Sequence, residues 1–300
     1  HSFLHDALPI WNVLDALALV SLYTGDYERA LELVTQGLDL QKEVGNRYDE
    51  GYAYHTLGWA QYLLGRYGAA LTAASTAASL LSEVDAPVGV AFALTVRGKV
   101  LTDLGAYGRA MSVYRKAEGF GHSEKDPFAL FQARIGLSWI DYLIDEDDAA
   151  LTVATQLLSD VDAADPRGWL PLLRVWAWLV MGHVYLDRGE LNKAERYYEQ
   201  ALALIENPDA LIYARPKLAL DVHAGLAGLA EAREDTSRAL ESVEAVADDL
   251  LSGEIDGALE PMRVYLTCGR VLDAAGDSRA NGVLQAGYRV LQQRAATIDD

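Results

Sequence analysis

Three segments of the chain begin 40 residues apart and share a register: Gly25-Asp26-Tyr27-Glu28-Arg29-Ala30-Leu31, Gly65-Arg66-Tyr67-Gly68-Ala69-Ala70-Leu71 and Gly105-Ala106-Tyr107-Gly108-Arg109-Ala110-Met111. A period of this length limits the chain to a few architectures. Each period is one supersecondary unit that cannot bury its apolar face alone, and stacking neighbours completes the core. Another 40 residues lead to Asp145, with Ala150-Leu151 in register, and the pattern resumes at Gly189 with Ala194. Weaker copies start at Glu234, with Ala239, and at Gly276, with Ala280 one step early. Pro87 and Pro127 punctuate the joints between units. The register defines seven units, at about 11–45, 46–86, 87–125, 126–166, 167–208, 209–254 and 255–300.

A second column supports the first. Seven residues before each turn stand Ala18, Gly58, Gly98, Ser138, Gly182, Ala227 and Gly269, all small. Five residues after the turn stand Ala30, Ala70, Ala110, Ala150, Ala194 and Ala239. Small residues in register let two helices approach closely, where a bulky side chain would cost on the order of 1–3 kcal/mol. Between the columns the apolar spacing is helical, as in Arg47–Leu64 before Gly65 and Tyr67–Val84 before Pro87. No segment sustains a period of two with β-branched residues, so strands are not expected. Each unit is expected to be a pair of antiparallel helices of roughly 14–20 residues, and the fold class all-α.

Leu57-Gly58, Gly65-Arg66-Tyr67, Ala70 and Ala77 resemble the leucine-glycine, turn and alanine columns of the tetratricopeptide repeat. Trp178 and Tyr185 fit the family's remaining columns, whereas Gln61 and Asp141 depart from them. The family's usual unit is about 34 residues, and these run longer. The resemblance implies a right-handed superhelical solenoid of about seven hairpins. It also implies a protein-binding role, with first helices lining a concave groove. Units of this length are similar to those in C-terminal sensor arms of bacterial signalling proteins, where an ATPase, cyclase or transcription-activator module precedes the array. Residues 290–300 resemble the last helix of such arrays.

On that geometry the groove is expected to present Tyr52, His55, Trp59 and Tyr62, then Phe92, Thr95 and Lys99, then Trp139, Tyr142, Trp176 and His183. Apolar bodies with polar tips are enriched at recognition surfaces. The competing reading for each aromatic is plain packing between helices. The functional expectation is a non-catalytic scaffold or sensor arm of a larger signalling protein, binding a peptide, a small effector or a partner domain in the groove. A free-standing adaptor is the second reading, and an α/α-toroid glycoside hydrolase the third.

Other features narrow the function. The chain carries 25 basic and 44 acidic residues, a net charge of −19, which opposes phosphate binding and hence nucleic acid. It also disfavours anionic membranes. Gly98-Lys99 lacks the flanking residues of a phosphate loop. The run Asp145-Glu146-Asp147-Asp148 lacks the spaced ligands of a calcium loop and reads as a charged helix start. His55, His183 and His223 fall in different units without a metal-binding spacing, so no metal or cofactor is expected. Cys268 occupies the leucine column and reads as a buried thiol. A lone cysteine fits a reducing compartment, so a cytoplasmic location is expected. Residues 1–10, His1 to Ile10, are set apart: one choice of codons for them resembles a sequencing adapter. On that reading His1 and His5 carry no metal hypothesis and a switch domain is missing upstream.

Overall fold

The computed structural model describes the backbone of residues 2–164, 171–207 and 215–298, and side chains of residues 10–164, 171–207 and 217–298. His1 and the expected joints at 166–167 and 208–209 lie outside the described residues, and residues 2–9 are described only as helix. Described residues form helices and turns, with no strand. The helices are α1 (Ser2–Thr24), α2 (Tyr27–Val44), α3 (Arg47–Leu63), α4 (Tyr67–Glu83), α5 (Pro87–Asp103), α6 (Tyr107–Ser123), α7 (Pro127–Leu143) and α8 (Asp147–Ala164). They continue with α9 (Pro171–Asp187), α10 (Leu191–Glu206), α11 (Arg215–Ala232), α12 (Thr236–Glu244), α13 (Ala247–Ser252), α14 (Pro261–Ala274) and α15 (Ala280–Ala295). Sequential helices pair as hairpins, and the second helix of a hairpin packs on the first helix of the next, as in α2 on α3 and α4 on α5. None of the described helices is long and apolar enough to cross a membrane.

The glycine column follows from one backbone conformation. Gly25, Gly65, Gly105, Gly189 and Gly276 lie at φ between 69° and 86°. There the chain closes a Schellman turn: the Arg66 N–H donates to the Gln61 carbonyl at 2.8 Å, and Asp26 to Ser21 at 2.9 Å. An L side chain strains this conformation and glycine does not. At the fourth and sixth turns Asp145 (φ 63°) and Glu234 (φ 59°) adopt the same geometry without that freedom. The same requirement recurs at the joints, where Gly45, Asp85 and Lys125 are left-handed.

The small column has a sharper cause than close helix approach alone. The Tyr114 ring of α6 is wedged between Gly98 of α5 and Gly136 of α7. A Cβ at either would stand 2.7 or 2.3 Å from the ring. Tyr198 of α10 is wedged in the same way between Gly182 of α9 and Gly225 of α11, 2.5 Å from a Cβ at each. Where the second helix carries Ala74 instead, a Cβ at Gly58 would meet nothing closer than 3.3 Å. The size of the opposing side chain therefore decides how strictly the column demands glycine.

The chain divides into two compact units, residues 1–140 with 297–300, and residues 141–296. In the first, Thr297 seals the start of α4: its Oγ1 accepts from the Tyr67 N–H at 3.1 Å and its carbonyl from the Gly68 N–H at 3.2 Å. Ile298 packs with Tyr62, Tyr67 and Val100. In the second, the expected single second helix of the sixth hairpin is broken into α12 of 9 residues and α13 of 6. The break keeps Val243, Val246 and Leu250 all facing one core. Asp221 then caps the next helix, accepting from the Leu259 and Glu260 N–H groups at 2.9 and 2.8 Å. Cys268 is buried in the same core, and burial pushes its thiol up to about 12.

Two substitutions separate these causes. Gly98→Ala should lower the free energy of urea unfolding by about 1–3 kcal/mol, because the Tyr114 ring has nowhere to move. Glu234→Gly should raise it by about 1 kcal/mol by relieving a left-handed non-glycine residue.

Candidate functional site

In the first unit α3, α5 and α7 place most of the expected groove residues together, but the structure uses them largely for internal contacts. Tyr62 is buried and its hydroxyl donates to Asp103 Oδ2 at 2.9 Å. The Tyr67 hydroxyl donates to the same oxygen at 3.0 Å. The Lys99 ammonium donates to Asp103 Oδ1 at 2.9 Å and lies 5.7 Å from the Tyr62 ring centre. The side chains of Lys99 and Asp103 are only 11% and 10% exposed, so this is a nearly buried ion pair with two phenol donors. Burial first, and then the Asp103 charge, holds the Tyr62 hydroxyl well above its usual range, so it stays a donor. Lys99, expected among the groove residues, is instead nearly buried with its ammonium paired to Asp103.

The remaining first-unit residues are also packed. Buried Thr95 Oγ1 lies 2.7 Å from the Phe92 carbonyl and 3.1 Å from Gln132 Oε1, and its single proton is shared between the two acceptors. Half-buried Phe92 lies between His55, with ring centres 5.7 Å apart, and Phe128, at 5.8 Å. Half-buried Trp59 meets Tyr62 edge-on at 5.6 Å, and Tyr52 packs against Tyr48 at 5.0 Å. His55 Nε2 is sealed from solvent with no hydrogen-bond partner, and burial lowers the imidazole to about 4. Trp139 is buried, so its expected display in a groove is corrected to core packing.

The second unit holds an open site. A cavity of about 590 Å³ is walled by the first helices of three hairpins, with His183, Leu186 and Asp187 from α9, Gly225, Gly228 and Glu231 from α11, and Arg263, Thr267 and Arg270 from α14. Of the expected groove residues only His183 lines it. Buried Tyr142 stands behind, stacked on His183 at 5.7 Å and donating to Asp187 Oδ2 at 2.8 Å. The Arg263 guanidinium lies 5.1 Å from the Tyr142 ring centre, and its Nε is buried without a partner. His183 Nδ1 pairs with the Tyr198 hydroxyl at 2.8 Å. Burial, and next the Arg263 charge, holds His183 well below the usual imidazole range, leaving it neutral. Arg270 forks onto Glu231, with Nε 3.1 and 3.0 Å from the two carboxylate oxygens. Trp176, from the expected set, is half-buried with Nε1 sealed and unpartnered, and is not among the cavity walls.

The cavity exists because one column lapses. Position by position after the small column stand Trp59, Lys99, Trp139 and His183, then Gly228 and Arg270. Gly228 is bare where its neighbours carry large side chains. A Cβ there would make only ordinary contacts, 3.4 Å from Thr267 and 3.6 Å from Leu186. Packing therefore does not demand this glycine, unlike Gly98 or Gly182. Arg263 continues the column of Tyr52, Phe92 and Trp176, and Glu231 that of Tyr62 and Tyr142. These walls were missed because the groove columns were not extended into the last two units.

The acidic run has a structural use. Arg188 donates to Asp147 Oδ2 at 2.9 Å and Asp148 Oδ1 at 2.8 Å, tying one hairpin's turn to the previous one. Among the described residues no three His, Cys, Asp or Glu side chains gather as a metal site.

Models of the tetratricopeptide repeat match residues 10–83 and 175–208. Among solved structures, a Rap protein complexed with competence and sporulation factor superposes at TM-score 0.71 with 10% identity, covering 96% of this chain and 77% of that one. The Rap conjugation gene regulator of plasmid pLS20, in complex with the Phr* peptide, gives 0.74 with 13% identity over 97% and 76%. Aspartyl phosphate phosphatase F from Bacillus subtilis gives 0.66 with 12% identity over 96% and 71%. At these identities the likeness concerns the fold. No curated protein matches the sequence.

Two measurements test the placement of these groups. Trp139→Ala should cost about 3–5 kcal/mol in a denaturant melt, as a core truncation does. A groove residue would leave the melt unchanged. The unfolded chain protonates its histidines near pH 6.5, whereas folded His55 resists to about 4. Its contribution is thus complete above 6.5 and is lost as pH falls toward 4, by about 1.4 kcal/mol per pH unit. His55→Gln should flatten the stability–pH curve in that window alone.

Proposed function

We propose that this chain, whose repeats are tetratricopeptide repeats, is a non-catalytic recognition module that binds an extended peptide segment in the cavity walled by α9, α11 and α14. One observation carries the reading. Gly228 leaves an opening that packing does not require, at the centre of three first helices, and charged groups of both signs surround it. Main-chain amides offer both donors and acceptors, which suits a wall with Asp187 and Glu231 beside Arg263 and Arg270. A helix glycine without a packing role costs about 0.5–1 kcal/mol relative to alanine, so retaining one here fits a binding use. Two solved structures of like fold, one complexed with competence and sporulation factor and one with the Phr* peptide, support the same class of ligand.

The module is read further as the regulatory arm of a larger signalling protein, in which peptide binding alters contacts with a switch domain. A free-standing adaptor uses the same cavity and differs only in what is attached to it.

Phage display of random peptides on the purified chain should enrich a consensus. A synthetic consensus peptide, followed by fluorescence anisotropy, should bind at least tenfold more weakly to Gly228→Leu and Arg263→Met, with both variants melting near the wild type. Enrichment failing altogether, or equal binding to the filled cavity, overturns the reading.

A further inference from the structure

We propose that the peptide held in the second unit's cavity is anchored by two of its own side chains, a basic one on Asp187 and an acidic one on Arg263. This rests on the peptide-binding reading of that cavity and names the ligand chemistry it selects. Of the four charged walls, Arg270 and Glu231 satisfy each other, with Nη2 2.7 Å from one carboxylate oxygen and Nε 3.0 and 3.1 Å from the two. Asp187 and Arg263 do not. Among the described residues neither belongs to an ion pair.

The repeat shows what Asp187 lacks. Asp103 and Asp187 hold the same position, five residues after the small column. Each accepts a hydrogen bond from a tyrosine hydroxyl of the preceding hairpin, Tyr62 at 2.9 Å and Tyr142 at 2.8 Å. Asp103 also takes the Lys99 ammonium, four residues earlier on its own helix, at 2.9 Å. Four residues before Asp187 stands His183, neutral and turned to the Tyr198 hydroxyl through Nδ1. Asp187 therefore keeps the phenol but has no cation, and it is exposed on the cavity wall. A ligand that covers it removes its water, so a basic side chain restores the pair that Asp103 makes internally.

Arg263 is the opposite case. Its guanidinium is half-buried over the Tyr142 ring, 5.1 Å from the ring centre, and Nε is sealed without a partner. Glu260 and Asp187 attract it without pairing. A cation held from water without a carboxylate is costly, and the guanidinium fork accepts one in two parallel hydrogen bonds.

The two demands are coupled. The Tyr142 hydroxyl donates to Asp187 and is also a hydrogen-bonding partner of Arg263, so one phenol joins the two open charges. A ligand with a base alone meets Arg263 as a like charge, and one with an acid alone meets Asp187. Opposite charges close together in the ligand satisfy both. An extended segment presents such a pair on one face at alternate residues.

Panning a random dodecapeptide phage library on the full chain tests this, with Gly228→Leu as the counter-selection that identifies cavity binders. Clones that need the open cavity should carry a Lys or Arg within two residues of an Asp or Glu at least tenfold more often than the starting library. Panned on Asp187→Asn, which keeps an acceptor for Tyr142, the library should lose the basic preference and keep the acidic one. On Arg263→Met it should lose the acidic preference and keep the basic one. Should Arg263→Met melt early, a synthetic consensus peptide on the wild type decides. Replacing its base by norleucine, or its acid by glutamine, should each weaken binding at least tenfold. Basic clones that persist on Asp187→Asn answer to the chain's net charge of −19 and overturn the proposal. Cavity-dependent clones without the charge pair also overturn it, while the peptide-binding reading stands. A library that yields no cavity-dependent clone overturns both.

Discussion

A tyrosine ring held between two glycines is the contact on which the rest of the stack depends. Tyr114 and Tyr198 each project from a second helix and are gripped by the first helices on either side, at Gly98 and Gly136 or at Gly182 and Gly225. One side chain thereby fixes the spacing within its own hairpin and to the next. The left-handed turns supply the other half of the geometry, because a seven-times repeated reversal sets where each ring can reach. With spacing and reversal fixed, the outward columns of the first helices fall into line, and their side chains become neighbours across hairpins.

What those neighbours do differs between the units. In the first, Lys99, Asp103, Tyr62 and Tyr67 satisfy one another, and a nearly buried charge pair left half-made would be costly. The surface has consumed its own polar groups. In the second, Asp187 repeats the place of Asp103, and Tyr142 that of Tyr62, each bonding in the same way. There the lysine's place is taken by neutral His183, and the next position along is bare at Gly228. The same columns thus yield a closed polar knot in one unit and an open, charged hollow in the other.

Much of this was legible in the sequence. The turn glycines, the small column and the alanine column state a helical-hairpin stack directly, because each demands a backbone or a volume that few residues satisfy. The site was less legible. Burial of Trp139, Tyr62 and Lys99 depends on which neighbouring hairpin covers them, and column position alone does not say so. Asp103 could have been found from its i,i+4 relation to Lys99. Arg263, Arg270 and Glu231 lay in the columns already chosen for Tyr52, Trp59 and Tyr62, four and five units further on. The break between α12 and α13 had no sequence signal, since neither glycine nor proline marks it.

That break changes how the molecule comes apart. In a linear array each hairpin is held by its own folding and by its two neighbours, so disorder entering from one end spreads until it meets a strong link or stops at a weak one. The sixth hairpin, with its second arm in two short pieces, holds fewer consecutive helical hydrogen bonds than any full arm beside it. Its second arm is held instead by the core that Val243, Val246 and Leu250 share with α11 and α14, so the side chains that close this hairpin also back two walls of the cavity.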